Sequence, residues 1–162
     1  VCKKLKDTPL TKNIPIILAI GSNLIRELLF GKVENSGFEV VTLIHPSSIV
    51  SSSASIGKGT VIMPNVVVNA NAIVGKGTIL NTSCIIEHEC IIDDFVHISP
   101  NVALAGNVRL GKLTHIGIGS NVIQGIIIGN NAIIGAGSTV VKNIGNFKKA
   151  YGNPCREIED IK

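Results

Sequence analysis

The chain has 162 residues, of which 45% are hydrophobic, 3% aromatic and 16% charged, with no Trp and a formal net charge of +4. So few rings and so small a basic excess argue against nucleic-acid binding, and no apolar run approaches the roughly 20 residues of a membrane span. The apolar content is aliphatic and favours β structure filled by branched side chains, in a protein expected to be soluble and cytoplasmic.

From the N-terminus, a Lys-rich opening without an initiator Met leads into Ile14 to Ile20, which reads as a buried strand with Pro15 near its start and Gly21 at its end. That run is too short, and lacks the cleavage region, for a signal peptide. Ser22 or Asn23 can cap a helix carrying Leu24, Ile25, Leu28, Leu29 and Val33 on one side and stopping near Gly37. Phe38 to Ile44 reads as a second strand. The unit is too small to stand alone and looks like the tail of a Rossmann-like domain whose opening is missing. The domain reading is therefore residues 1–45 for this segment and 46–162 for a second, repetitive part, with His45-Pro46 as a rigid junction.

A repeat governs the second part. From Val50, steps of six land on Ile56, Ile62, Val68, Val74, Leu80, Ile86 and Ile92, and continue through Ile98, Leu104, Leu110, Ile116, Val122, Ile128, Ile134 and Val140. Two positions before each stands a compact residue, as at Ala54, Thr60, Val66, Ala72, Thr78, Cys84, Cys90 and Val96. Gly often comes next, as at Gly57, Gly75, Gly111, Gly117, Gly129 and Gly135, where a turn would need permissive backbone. This is the hexapeptide signature of a parallel β-helix, with three hexapeptides to a triangular coil of roughly 18 residues. About five coils are expected. Cys84 and Cys90 point inward as core fillers, and Cys2, Cys84, Cys90 and Cys155 are read as reduced thiols, because no CxxC pair occurs. Lys58, Lys76, Asp94 and Lys112 stack one coil apart as a solvated charge ladder.

Reactive side chains cluster in Asn81-Thr82-Ser83-Cys84-Ile85-Ile86-Glu87-His88-Glu89-Cys90, succeeded by Asp93, Asp94 and His97. His88 falls at an outward corner beside two carboxylates, which favours its charged form and makes it a better base. The alternative is a solvated surface histidine. His97 and His115 are one coil apart and stack on one face. His88 and His97 are half a coil apart and so lie on opposite sides of one subunit. They share a site only if a neighbouring subunit supplies one of them, which predicts a ring-symmetric homotrimer. Outward Ile79, Ile85, Ile127 and Ile133 would also gain from such burial. Zinc-dependent carbonic anhydrases share this architecture, but they need two histidines about five residues apart. This chain has no such pair, so no metal is expected.

Several stretches together resemble the bacterial sugar acetyltransferases that join a small nucleotide-sugar-binding domain to a left-handed β-helix. They are Ala19-Ile20-Gly21 with Arg26, Leu43-Ile44-His45-Pro46, Leu80-Asn81-Thr82-Ser83, Ile86-Glu87-His88-Glu89-Cys90, Phe95-Val96-His97, Ala105-Gly106-Asn107-Val108 and Gly152-Asn153-Pro154. That family includes UDP-4-amino-sugar N-acetyltransferases and related sialic acid O-acetyltransferases. The resemblance implies direct transfer from acetyl-CoA, with His88 as general base and Glu89 as the carboxylate that raises its basicity. It places His97, Ile118 and Ala136 against acetyl-CoA, where the family usually has Gly at the last position. Gly21 and Asn81 fall on the sugar side. Lys142, Lys148, Lys149 and Arg156 could meet the phosphates of CoA. Nothing before Gly21 matches the family's glycine-rich opening loop, so the expected activity is N-acetylation of a nucleotide-linked amino sugar with the sugar half of the site incomplete. O-acetylation of a sialic acid, or a non-catalytic assembly module, are the alternatives.

Overall fold

The structure, a computed structural model, describes residues 14–161; Cys2 and the Lys-rich opening lie outside them. From Leu43 onward the backbone winds as a three-faced parallel β-solenoid of two-residue strands. Face one carries Leu43–Ile44, Val61–Ile62, Ile79–Leu80, His97–Ile98, His115–Ile116 and Ile133–Ile134, and face two starts at Ile49–Val50. Face three starts at Ser55–Ile56. Every ladder pairs residues one coil apart, as in Val61↔Ile79 and Ile85↔Ala103.

Face one has six such strands, so the solenoid has six coils where five were expected. The six-residue series starts one step earlier than Val50, at Ile44, whose strand pairs with Val61–Ile62. Phe38 to Ile44 is consequently not one strand. Val40 makes an isolated bridge to Ile16, whereas Leu43–Ile44 is the first rung of the solenoid. The Ile14 to Ile20 strand is likewise reduced to that single bridge, and only Leu18 of the run is buried. At the far end, Lys148–Gly152 joins face one and turns back as an antiparallel hairpin with Cys155–Asp160.

The core is the predicted stack. Ile62, Leu80, Ile86, Ile92, Ile98 and Leu104 are buried, and so are the compact residues two positions before, Cys84 and Cys90 among them. The three described cysteines are free thiols. At Thr60, Thr78, Thr114 and Ser120 the hydroxyl of the compact residue donates to a carbonyl of the next coil, as Thr60 Oγ1 does to Gly75 at 2.9 Å. Buried hydroxyls thereby keep a partner without breaking the apolar stack.

The glycines need a different explanation from the one their spacing suggested. A Cβ on Gly57 would stand 2.5 Å from the backbone of Gly75 and Lys76, and one on Gly75 would stand 2.6 Å from that of Asp93 and Asp94. These glycines are required by close stacking of coils, not by turn conformation. The left-handed backbone falls two residues later, at every sixth residue from Gly59 to Gly137. Five of these corners are Gly and five are Asn, the residues that tolerate positive φ. The other four are Ser83, Glu89, Phe95 and Leu113.

Helix α1 spans Asn23–Asn35, and Gly37 at φ 80° turns the chain away from it. Ser22 occupies the N-cap without a side-chain bond, while Asn23 Nδ2 donates to the carbonyls of Leu113 and Thr114 at 2.9 and 3.1 Å. The predicted apolar face holds only in part: Val33 is buried and Leu29 packs beside it, but Leu24, Ile25 and Leu28 are exposed, and Arg26 and Phe30 are buried in their place. The corner residues decide this. Phe95 projects from its strained corner to meet Phe30 edge-on at 5.4 Å, in a cluster with Leu18, Val33 and Val40. The charge column contributes too. Lys58 pairs with Glu34 at 2.9 Å and Lys112 with Glu27 at 2.5 Å, so two lysines of the expected solvated ladder tether α1.

Candidate active site

His88 sits in the turn that leads from face two (Ile85–Ile86) to face three (Ile91–Ile92). Its side chain is 60% exposed, as its corner position predicts, and its Nδ1 lies 3.3 Å from Oε2 of Glu89. Glu89 is one of the four left-handed corners that are neither Gly nor Asn, with φ 60°. A carboxylate there carries backbone strain that Asn or Gly would relieve. The imidazole lies against Gly106, one coil onward. A Cβ on Gly106 would meet His88 Cε1 at 2.5 Å and Nε2 at 2.6 Å. The sequence pattern includes Gly106 in a matching stretch but gives it no role; its 18-residue offset from a corner histidine is the signal that points to one.

His97 and His115 are paired across adjacent rungs of face one, as expected, and their rings stack at 4.8 Å and 9°. His97 Nδ1 is 3.3 Å from the carbonyl of Gly21, and Nε2 is 3.3 Å from Nδ2 of Asn81. His115 Nε2 lies 2.9 Å from Ser99 Oγ. Burial, then the neighbouring His115, and also Arg26, pull His97 down to about 4 against the opposing effect of the Gly21 carbonyl. His115 is lowered by burial and by Arg26. Both rings are therefore neutral near pH 7.

Ile118 and Ala136 are exposed and stand one coil apart at the corner between faces one and two, the edge that Asn81 also occupies. The Gly137 N–H donates to the Ile118 carbonyl at 2.8 Å and holds these two corners in line. Gly21, Asn81, His97, Ile118 and Ala136 thus lie along face one and its edge. His88 and Glu89 occupy the corner between faces two and three, opposite face one. One chain does not bring the two groups together.

The expected basic end is partly engaged within the chain. Lys148 pairs with Asp160 at 2.5 Å and Lys149 with Glu159 at 2.8 Å. Of the apolar residues expected outside, Ile85, Ile127 and Ile133 are exposed, but Ile79 is 7% exposed. Ile79 lines a groove of about 280 Å³ with Ile17, Gly21, Val61, Asn81 and His97, and the N-terminal segment covers it. Among the described residues, no group of three or more His, Cys, Asp or Glu is placed to hold a metal ion, and no helix is long and apolar enough to cross a membrane.

No protein-family model matches the chain. A 57-residue stretch is 46% identical to UDP-N-acetylbacillosamine N-acetyltransferase of Bacillus subtilis, covering 33% of this chain and 26% of that enzyme, well under two thirds of its length. The structure of PerB from Caulobacter crescentus, in complex with CoA and GDP-perosamine, matches with a TM-score of 0.90 and 35% identity over 96% of this chain and 73% of that one. The acetyltransferase domain of PglB from Neisseria gonorrhoeae, in complex with acetyl coenzyme A, matches with a TM-score of 0.92 and 36% identity over 96% of this chain and 76% of that one. Likeness of this extent, on a solenoid that carries Glu-His-Glu-Cys at a coil corner, means that the chain belongs to the hexapeptide-repeat sugar N-acetyltransferases, a family of enzymes that use acetyl-CoA.

Proposed function

We propose that this protein transfers acetyl from acetyl-CoA to the amine of a nucleotide-linked amino sugar, with His88 as general base. The observation that carries the reading is the His88–Glu89 pair: an exposed imidazole at a solenoid corner, its Nδ1 facing a carboxylate at 3.3 Å. With Nδ1–H donating to Glu89, Nε2 is free to take a proton from the neutral acceptor amine as it attacks. The amine nitrogen bonds to the thioester carbonyl carbon, the C–S bond breaks, and CoA leaves as thiolate to be protonated by His88. No covalent enzyme intermediate is needed, and Cys84 and Cys90 are too deeply buried to serve as nucleophiles.

Acetyl-CoA is assigned to the edge that carries His97, Ile118 and Ala136, with Gly21 and Asn81 toward the acceptor sugar. Because His88 stands opposite face one, the complete site takes His88 and Glu89 from one subunit and the His97 edge from the next, around a homotrimer of left-handed β-helices. The segment before the solenoid, read from the sequence as residues 1–45, is assigned to nucleotide-sugar binding. Both substrates place the enzyme in the cytoplasm. The similar proteins are named for both UDP- and GDP-linked sugars, so the nucleotide is left general.

The test is His88→Ala, with acetyl-CoA and panels of nucleotide-linked amino sugars and free sialic acids as acceptors. Turnover should fall roughly 10²–10⁴-fold, the range for a lost general base, while acetyl-CoA affinity is kept. Wild-type turnover in the variant would return His88 to the surface, acetylation of sialic acids alone would make the enzyme an O-acetyltransferase, and a monomer in solution would remove the shared site.

A further inference from the structure

Arg26 is 1% exposed and, among the described residues, has no carboxylate partner; six oxygen dipoles hold its guanidinium. Nε donates to Gly77 O at 2.6 Å, Nη1 to Ile20 O at 2.8 Å and Gly21 O at 3.3 Å, and Nη2 to Asn23 Oδ1 at 2.8 Å, Phe95 O at 3.0 Å and Val96 O at 3.2 Å. Such a group costs much desolvation and is pulled down to about 10 by burial. Its bonds fasten the Ile20-Gly21 turn to the solenoid. One of its acceptors, Gly21 O, is also the acceptor that faces His97 Nδ1.

The other side of that ring is equally determined. Asn81 Oδ1 accepts from the Thr82 N–H at 2.8 Å, which fixes the orientation of the amide. Nδ2, a donor only, is the atom that faces His97 Nε2 at 3.3 Å. Nε2 must then be the bare nitrogen, and Nδ1 carries the hydrogen toward Gly21.

We infer that Asn81 and the Gly21 carbonyl lock His97 as the neutral Nδ1–H tautomer, with Arg26 as the positioning residue that holds Gly21 in place. Arg26 thereby ties the N-terminal segment to the cofactor edge: a shift of the Gly21 turn reaches His97 through one shared oxygen. The link to acetyl-CoA rests on the proposed function, whereas the tautomer is a property of the chain alone.

The experiment is a long-range ¹H–¹⁵N spectrum of the ligand-free protein with labelled histidine, His97 assigned by His97→Asn. Wild type should show Nδ1 protonated and Nε2 bare near pH 7. Asn81→Asp, which puts an acceptor against Nε2, should move the hydrogen to Nε2 or charge the ring. Arg26→Lys, which retains a cation but cannot reach all six acceptors, should mix the tautomers. In Arg26→Lys the KM for acetyl-CoA should rise about tenfold while kcat moves less, as expected for a displaced binding group. An Nε2–H or charged His97 in wild type would overturn the lock, and unchanged spectra and KM in Arg26→Lys would remove Arg26 from it. Should Arg26→Lys not fold, Arg26→Gln replaces it with the same two readouts. The expected spectra without any acetyl transfer would refute the proposed function and leave the lock standing.

Discussion

The imidazole of His88 lies against the α-carbon of Gly106, the residue one coil further along the same corner. The proposed chemistry depends on that spacing, because a corner side chain can lean along the solenoid only where the next coil offers no Cβ. Gly106→Ala should push the exposed ring aside instead of disrupting the core. Turnover is expected to fall roughly 10²-fold, the cost of about 1 Å of misplacement, with little change in melting temperature. Steady-state kinetics alongside thermal melts would check this, and an unimpaired variant would mean that the ring position does not matter.

Acid should weaken the fold through His97. In the folded chain it titrates at about 4, against an ordinary value of 6.5. Between those values the unfolded chain binds more protons than the folded one, so stability rises with pH across that window. The contribution is complete above 6.5 and is lost as pH falls toward 4. His115, lowered for similar reasons, acts with the same sign. Denaturant melts at several pH values should show a shallower acid slope for His97→Asn than for wild type. Equal slopes would mean that His97 titrates normally in the folded protein.

The buried thiols should be silent until the chain unfolds. Burial pushes Cys84 up to about 12 and raises Cys90 and Cys155 as well. Only a thiolate reacts readily, and these sites give it neither water nor access. A thiol-reactive dye added to a Cys2→Ser protein should label nothing in buffer and three cysteines in denaturant. Rapid labelling of the native protein would contradict the sealed core.

The solenoid is legible because one physical requirement, an aliphatic side chain pointing inward, recurs every six residues. Its first rung is not, since Ile44 also fits the end of a conventional strand and nothing local distinguishes the two. The spacing of Gly57 and its equivalents suggests a corner with positive φ, but glycine fills those positions for reasons of space. Helix α1 misleads through its own apolar residues. Leu24, Ile25 and Leu28 suggest a buried stripe, but the partner surface is set by Phe95 and the Lys58 and Lys112 corners, many residues away. At the site, the stacking of His97 on His115 comes from periodicity alone. The role of Arg26 does not, because a sequence shows no carbonyls.

Glu89 offers a trade between stability and activity. Its corner is one of fourteen left-handed positions around the solenoid, ten of them Gly or Asn, and its φ of 60° disfavours an ordinary side chain. Glu89→Asn keeps a polar group, suits the left-handed backbone and removes the carboxylate beside His88 Nδ1. The variant is expected to be more stable by about 0.5–1 kcal/mol, the scale of strain relieved at such a position. Its turnover near neutral pH should nevertheless fall, since the imidazolium formed during proton transfer loses its charged partner. Glu89→Gln, which retains the strain, should lose activity without gaining stability, and so separates the two effects. A Glu89→Asn protein that was both more stable and fully active would show that the carboxylate does not serve His88, and the strained corner would then need another explanation.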